Sequence, residues 1–209
     1  MKFEDWGLVD YSASFQKQLD LVAEIAAGTE EERVVFCTHP PVVTLGRGAS
    51  PTDLSGWQGE VVEINRGGKA TYHGPSQIVI YPLLDLKKER ALLPVRDVGA
   101  YLRGLENWMI EALAVFDLQA EARQAPKGEE NSYTGVWVGE HKVASIGIAV
   151  KKWITHHGAA LNLSEDPTAF QGISPCGFKR SVMSSVETER GLPVSYEEMK
   201  QALISVCRW

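Results

Sequence analysis

Residues 66–82 read RGGKATYHGPSQIVIYP, and this stretch decides how the rest of the chain is read. Gly67 and Gly68 permit positive φ, so the predicted loop brings its N–H groups close to a ligand where a Cβ would stand in the way. After Pro75, the run Ile78-Val79-Ile80-Tyr81 is β-branched and aromatic, the composition of a buried strand. The sequence therefore predicts a polar, glycine-containing loop delivered onto a stiff sheet, a floor for a small acidic or acyl ligand. A Gly pair followed by a charge is also an ordinary hairpin turn, and the stretch alone leaves both readings open.

Upstream, Tyr11, Phe15, Leu19, Val22 and Ile25 recur at helical spacing and Gly28 closes the pattern as a C-terminal cap. Short apolar runs at 34–37, 42–46 and 61–64, separated by turn residues, read as strands. Downstream, an apolar stripe from Val98 through Tyr101, Leu102, Leu105, Trp108, Met109, Ala112, Leu113 and Phe116, behind an Asp97 cap, predicts a long helix packed across the sheet. A polar loop at 124–135 leads into runs at 135–138 and 142–150 that Gly139-Glu140-His141 joins as a hairpin, with Lys142 at a strand entrance. The segment THHGAALNL at 155–163 continues the strand pattern, FQGISPCGF at 170–178 reads as a loop, and Ser195 with Glu198 forms a capping box on a last helix. Strands and helices without regular alternation predict an α+β fold with a mixed sheet and packed helices.

At 209 residues the chain is sized for one domain, 1–209, and its 44% hydrophobic and 23% charged content is that of a globular protein. No run approaches the roughly 20 apolar residues of a membrane span, and MKFEDWGLVD lacks the basic and apolar regions of a signal peptide, so a cytoplasmic location without membrane association is expected. A net charge of −6 argues against nucleic-acid binding. Local basic pairs do occur: Arg66 with Lys69, Lys151 with Lys152, and Lys179 with Arg180. Converging in space, they would form a positive patch that steers an acidic partner.

Three cysteines, Cys37, Cys176 and Cys207, fit neither a disulfide framework nor a zinc site and are expected to be free thiols. Cys37 sits in an apolar run and reads as packing, and Cys207 on the last predicted helix reads as packing or a terminus. Cys176 lies between Pro175 and Gly177, the setting of a constrained, displayed loop. A nucleophilic cysteine needs a partner, because the thiolate is the reactive form. His156 and His157 are adjacent, which on a strand points them to opposite faces, and with His39 and His141 scattered no metal motif emerges. His73 reads as either a hydrogen-bonding structural residue or a base, and Arg66 as a ligand for a backbone carbonyl, a carboxylate or a partner's acidic side chain.

Four blocks in order, RGGKATYHGPSQIVIYP, HKVASIG, HHGAALNL and FQGISPCG, together resemble the lipoate-protein octanoyltransferase family. The resemblance implies the α+β catalytic domain shared by biotin and lipoate protein ligases. It implies transfer of an octanoyl group from octanoyl-acyl carrier protein to a lysine on lipoyl domains, those of 2-oxoacid dehydrogenase complexes and the glycine cleavage H protein. It implies Cys176 as the acyl-carrying nucleophile, Lys142 as its partner, and no cofactor or metal. Substrate contacts are implied at Arg66, Gly67, Gly68, Lys69, Ala70, Thr71, Tyr72 and His73, at Ser145, Ile146 and Gly147, and at Gly158, Ala159 and Ala160. Ser76 departs from the family pattern, which usually has Gly there.

The chemistry stands apart from the resemblance: an octanoyl thioester is already activated, so passing its acyl group to a thiol is near thermoneutral and on to an amine is downhill. Two other readings remain. An ATP-dependent lipoate or biotin ligase makes an acyl-adenylate and has no need of a nucleophilic Cys176. A lipoyl-domain binding module with a degenerate site has no need of the Cys176 and Lys142 pair.

Overall fold

A computed structural model describes residues 1–127 and 132–209. Of the polar loop at 124–135, residues 128–131 lie outside the described residues. The chain runs β1 (Lys2–Leu8), α1 (Tyr11–Ala27), β2 (Arg33–Thr38), β3 (Val42–Leu45), β4 (Glu60–Glu63), β5 (Ala70–His73), β6 (Gln77–Leu83), α2 (Val98–Ala114), β7 (Ala120–Ala122), β8 (Gly135–Val138), β9 (His141–Lys151), β10 (Ile154–Asn162), α3 (Val186–Arg190) and α4 (Tyr196–Ser205).

The strands form two sheets rather than one, a division the sequence did not signal. The larger has the order β1-β2-β6-β10-β9-β8-β7, antiparallel except where β1 runs parallel to β2. The smaller has the order β4-β3-β5. In β6, side chains alternate between two layers. Ile78 and Ile80 join Val34, Phe36, Tyr101, Leu105, Met109, Met199 and Leu203 in the main core under α2 and α4, while Val79 and Tyr81 join Val35, Cys37 and Ala160 on the opposite face. Because both faces of β2 and β6 are covered, these strands read as continuous apolar runs instead of alternating ones.

Helix caps follow the expected chemistry. The Asp10 and Asp97 carboxylates accept from the N–H groups of Ala13 and Ala100, and Gly28 takes the left-handed conformation at φ 77°. Ser195 and Glu198 form the capping box of α4. Helix α1 buries Ser14 and Gln18 beside Tyr11, Leu21, Val22 and Ile25, whereas Phe15 and Leu19 are half-buried. Gln18 pays for its burial by accepting from the backbone N–H of His157 at 2.8 Å.

Four further expectations are corrected. Residues 70–73 are a strand of the small sheet, paired with β3, and not part of a loop. Cys207 lies past the end of α4. His156 and His157 do not diverge: their rings are 4.7 Å apart and both stack on Phe15, because His157 takes φ 56° and turns out of the strand alternation. The Lys151–Lys152 pair stands apart from Lys179 and Arg180, so the expected patch is not continuous. Lys151 and Lys152 occupy the β9–β10 turn, while Lys179 follows Phe178, whose ring lies 5.8 Å from Lys142 Nζ. Lys142 and Lys151 are on opposite ends of β9, about 30 Å apart on an extended strand.

Candidate active site

Two elements and one turn meet on the face of the large sheet opposite α2. The loop before β5 crosses β9, where the Gly67 N–H donates to the Ile148 carbonyl at 3.0 Å. That bond occupies the Gly67 N–H. Positive φ belongs to Gly68 alone of the pair, at 84°. Arg66, 5% exposed, donates from Nη2 to the Thr44 carbonyl at 3.0 Å and Thr44 Oγ1 at 2.7 Å, and from Nη1 to the Gly67 carbonyl at 2.9 Å. Of the three partners its sequence left open, it holds backbone carbonyls. Gly147 of β9 admits this guanidinium: a Cβ there would lie 2.8 Å from Arg66 Cδ.

Cys176 enters from the turn Pro175–Gly177 in a left-handed conformation, φ 56° and ψ 18°, unusual for a residue with a Cβ and costing roughly 1–2 kcal/mol. Its Sγ is 3.6 Å from Ser145 Oγ. Its carbonyl accepts from the Ser132 N–H at 2.8 Å, and the Ser132 carbonyl in turn accepts from Lys142 Nζ at 2.6 Å. Ser132 therefore ties Cys176 and Lys142 together through its backbone.

Lys142 is fully buried. Its ammonium lies 5.6 Å from the Trp137 ring and 5.8 Å from that of Phe178, and Tyr133 stacks on Trp137. Burial pushes its pKa down; Cys176 and, less strongly, Glu106 pull it back. Burial thus eases proton loss from a side chain that, solvated, would hold its proton firmly.

Between loop, sheet and turn lies a narrow cavity of about 30 Å³, bordered by Arg66, Gly68, Lys69, Thr71, His73, Ser145, Ile146, Gly147, Gly158, Ala159, Ala160 and Cys176. Volume of that order holds only one or two waters. Three expected contacts do not border it. Gly67 faces β9, and Ala70 and Tyr72 point to the other side of β5 by strand alternation, Tyr72 packing with Val43, Phe170 and Ile173. Lys142 stands behind Cys176 rather than on the cavity wall.

The sequence passed over Tyr11, Val79, Tyr81, Ser132 and His157 as cavity residues. Their polar groups are neutral under ordinary conditions. Burial, reinforced by His39 and Arg66, depresses His73 well below the ordinary range, and burial with His156 and Arg66 brings His157 to about 3. His39 donates from Nδ1 to the Val9 carbonyl at 2.7 Å and accepts from the Tyr81 hydroxyl at 2.8 Å. Neutral imidazoles thus underlie the cavity, and among the described residues His73 Nδ1 and His157 Nε2 have no hydrogen-bond partner.

The family model of the lipoyl protein ligase A/B catalytic domain matches residues 10–208. The octanoyltransferase of Bdellovibrio bacteriovorus is 44% identical over 206 residues, 96% of this chain and 94% of that protein. The chain belongs to the lipoyl protein ligase A/B catalytic domain family. Within that family, the octanoyltransferase of Syntrophotalea carbinolica is 40% identical, covering 98% of this chain and 91% of its own. The fold is also that of a lipoate-protein ligase A crystallised with ATP, with TM-score 0.70 at 16% identity over 99% of this chain and 84% of the ligase chain. That neighbour speaks for the α+β ligase-like architecture alone. Among the described residues, no helix is long and apolar enough to cross a membrane.

Proposed function

We propose that this chain is an acyltransferase that moves an octanoyl group from octanoyl-acyl carrier protein to a lysine of lipoyl domains, by way of a thioester on Cys176. The observation that carries the reading is the Cys176–Ser132–Lys142 clamp, found in a chain 44% identical to an octanoyltransferase. Those of 2-oxoacid dehydrogenase complexes and the glycine cleavage H protein are the proposed acceptors.

In the first half-reaction, neutral Lys142 takes the thiol proton and Cys176 Sγ attacks the donor thioester carbonyl. The tetrahedral oxygen is within reach of Ser145, whose Oγ is 3.6 Å from Sγ. The C–S bond to the carrier breaks, and the departing thiolate takes the proton from Lys142. In the second, the acceptor lysine loses a proton to solvent and its amine attacks the acyl-cysteine. Lys142 accepts the remaining proton as the amide forms, then returns it to the Cys176 thiolate. Gly147, Gly158, Ala159 and Ala160 border the cavity that would take the alkyl chain, beside Thr71 and His73. Gly68 and Lys69 border its entrance.

Supplying either octanoyl-acyl carrier protein or free octanoate with ATP to the chain and a lipoyl domain separates this reading from a ligase. Lysine acylation from the carrier thioester without ATP is the expected result; acylation only from octanoate and ATP would replace the reading, and tight lipoyl-domain binding with no acylation would favour a binding module.

A further inference from the structure

We propose that Glu106 of α2 is a positioning residue that sets the proton balance of the Lys142 and Cys176 pair, an inference that rests on the pair being the reactive centre. Glu106 lies on the buried stripe of its helix, next to Leu105 and only 8% exposed. A carboxylate in that place costs several kcal/mol unless something compensates it. Among the described residues no ion pair within 4.0 Å does so. Instead Oε1 accepts from the Gly135 N–H at 3.1 Å.

Gly135 opens β8, which pairs with β9 on the lysine's own stretch. It has φ 141°, and a Cβ placed on it would stand 2.8 Å from Lys142 Cε. Glu106, Gly135 and the Lys142 stem are thus stacked one on another. Lys142 is faced by Cys176 from the turn, Glu106 from α2, and the Trp137 and Phe178 rings from β8 and the segment after Cys176. Glu106 is faced in turn by Lys142 and by Arg103 on its own helix, and Cys176 by Arg66. Burial raises the Glu106 carboxyl and lowers the Lys142 ammonium, and the attraction between them opposes both shifts. A negative charge held there keeps Lys142 able to retain the thiol proton it has taken. It also makes the Lys142 ammonium harder to deprotonate, so loss of the charge moves that ionisation, and the reactions that depend on it, to lower pH.

Glu106→Gln removes the charge yet can still accept from the Gly135 N–H, which a purely structural role would find sufficient. Two rates are followed against pH in the intact chain: octanoyl loading from octanoyl-acyl carrier protein, and alkylation of Cys176 by iodoacetamide, mapped by mass. For Glu106→Gln the Michaelis constant for the donor stays within about twofold, while both profiles move to lower pH by about one unit. Glu106→Asp, which keeps the charge but withdraws it by one methylene, moves them less, in the same direction. Profiles that superpose on the parent's in both variants, in Glu106→Asp alone should Glu106→Gln fail to fold, or that move to higher pH, overturn the proposal. Alkylation needs no acyl donor. A chain that never loads octanoate yet shows the displaced alkylation profile therefore loses the octanoyl-transfer reading and keeps this one.

Discussion

Lys142 is surrounded by influences of opposite sign, and their balance is what makes it useful. Desolvation disfavours its ammonium, while the Ser132 carbonyl at 2.6 Å and two aromatic faces favour it. Removing the amine with Lys142→Ala should slow octanoyl loading of Cys176 by about 10²–10⁴-fold, read as adduct mass against time; loading within a few-fold of the parent would take the proton-transfer role away from it. Gly147→Ala would force a methyl against the Arg66 side chain and the Gly67 carbonyl, both of them already fixed by hydrogen bonds. It should lower stability by about 1–3 kcal/mol in denaturant melts and slow loading. At this scale the sequence was uneven. The loop setting of Cys176 was legible because Pro and Gly on either side confine its backbone, whereas Lys142 was singled out by the four-block resemblance, its own stretch showing only a strand entrance beside a hairpin turn. Glu106 was not, since one carboxylate in an apolar stripe reads as a solvated edge until the strand that buries it is known. The turning of Gly67 away from the cavity was equally hidden, because its bond to Ile148 is made to a residue 81 positions along the chain.

Among the elements, α2 both fills the core and carries Glu106, so its N-terminal cap offers a control. Asp97→Ala removes the bond to the Ala100 N–H at 2.7 Å and should cost about 1 kcal/mol in thermal or denaturant unfolding, leaving the pH profile of loading in place. A displaced profile would mean that Glu106 moves with the helix end and that its effect is not local. Hydrophobic period and cap chemistry were enough to foresee α1, α2, α4 and most strands. The edge strands β1 and β7 escaped, since half-buried Glu4 and exposed Asp5 and Glu121 give little apolar signal. So did the partition into two sheets, which depends on which strands pair and not on any strand's own composition. The small sheet matters to function because β5 presents Thr71 and His73 to the cavity while Ala70 and Tyr72 anchor its back.

For the whole molecule, buried neutral histidines tie stability to pH. His157 has its folded pKa lowered to about 3 and His156 to about 4, both below the ordinary value near 6.5. Between those values the unfolded chain binds protons that the folded chain refuses, so stability falls as pH drops from about 6.5 toward the folded pKa. For His157 the slope approaches 1.4 kcal/mol per pH unit, and His157→Gln should flatten the acid side of a melting-temperature profile; an unchanged acid side would indicate that other groups carry it. The charge layout gives a second molecular test. Lys179, next to Phe178, lies by Cys176 and Lys142, while Lys151 sits at the far end of β9. Charge reversal at Lys179 should raise the Michaelis constant for octanoyl-acyl carrier protein and weaken its salt dependence, and reversal at Lys151 should do so less; equal effects would place donor docking elsewhere.

The central claim is that Cys176 carries the acyl group between two protein partners, and mass measurement tests it most directly. Denatured intact chain is weighed after mixing with octanoyl-acyl carrier protein, and again after a lipoyl domain is added, beside Cys176→Ala. The expected result is one octanoyl adduct that requires Cys176 and disappears as the lipoyl domain gains the same mass. A lipoyl domain acylated at the parent rate by Cys176→Ala would contradict the account.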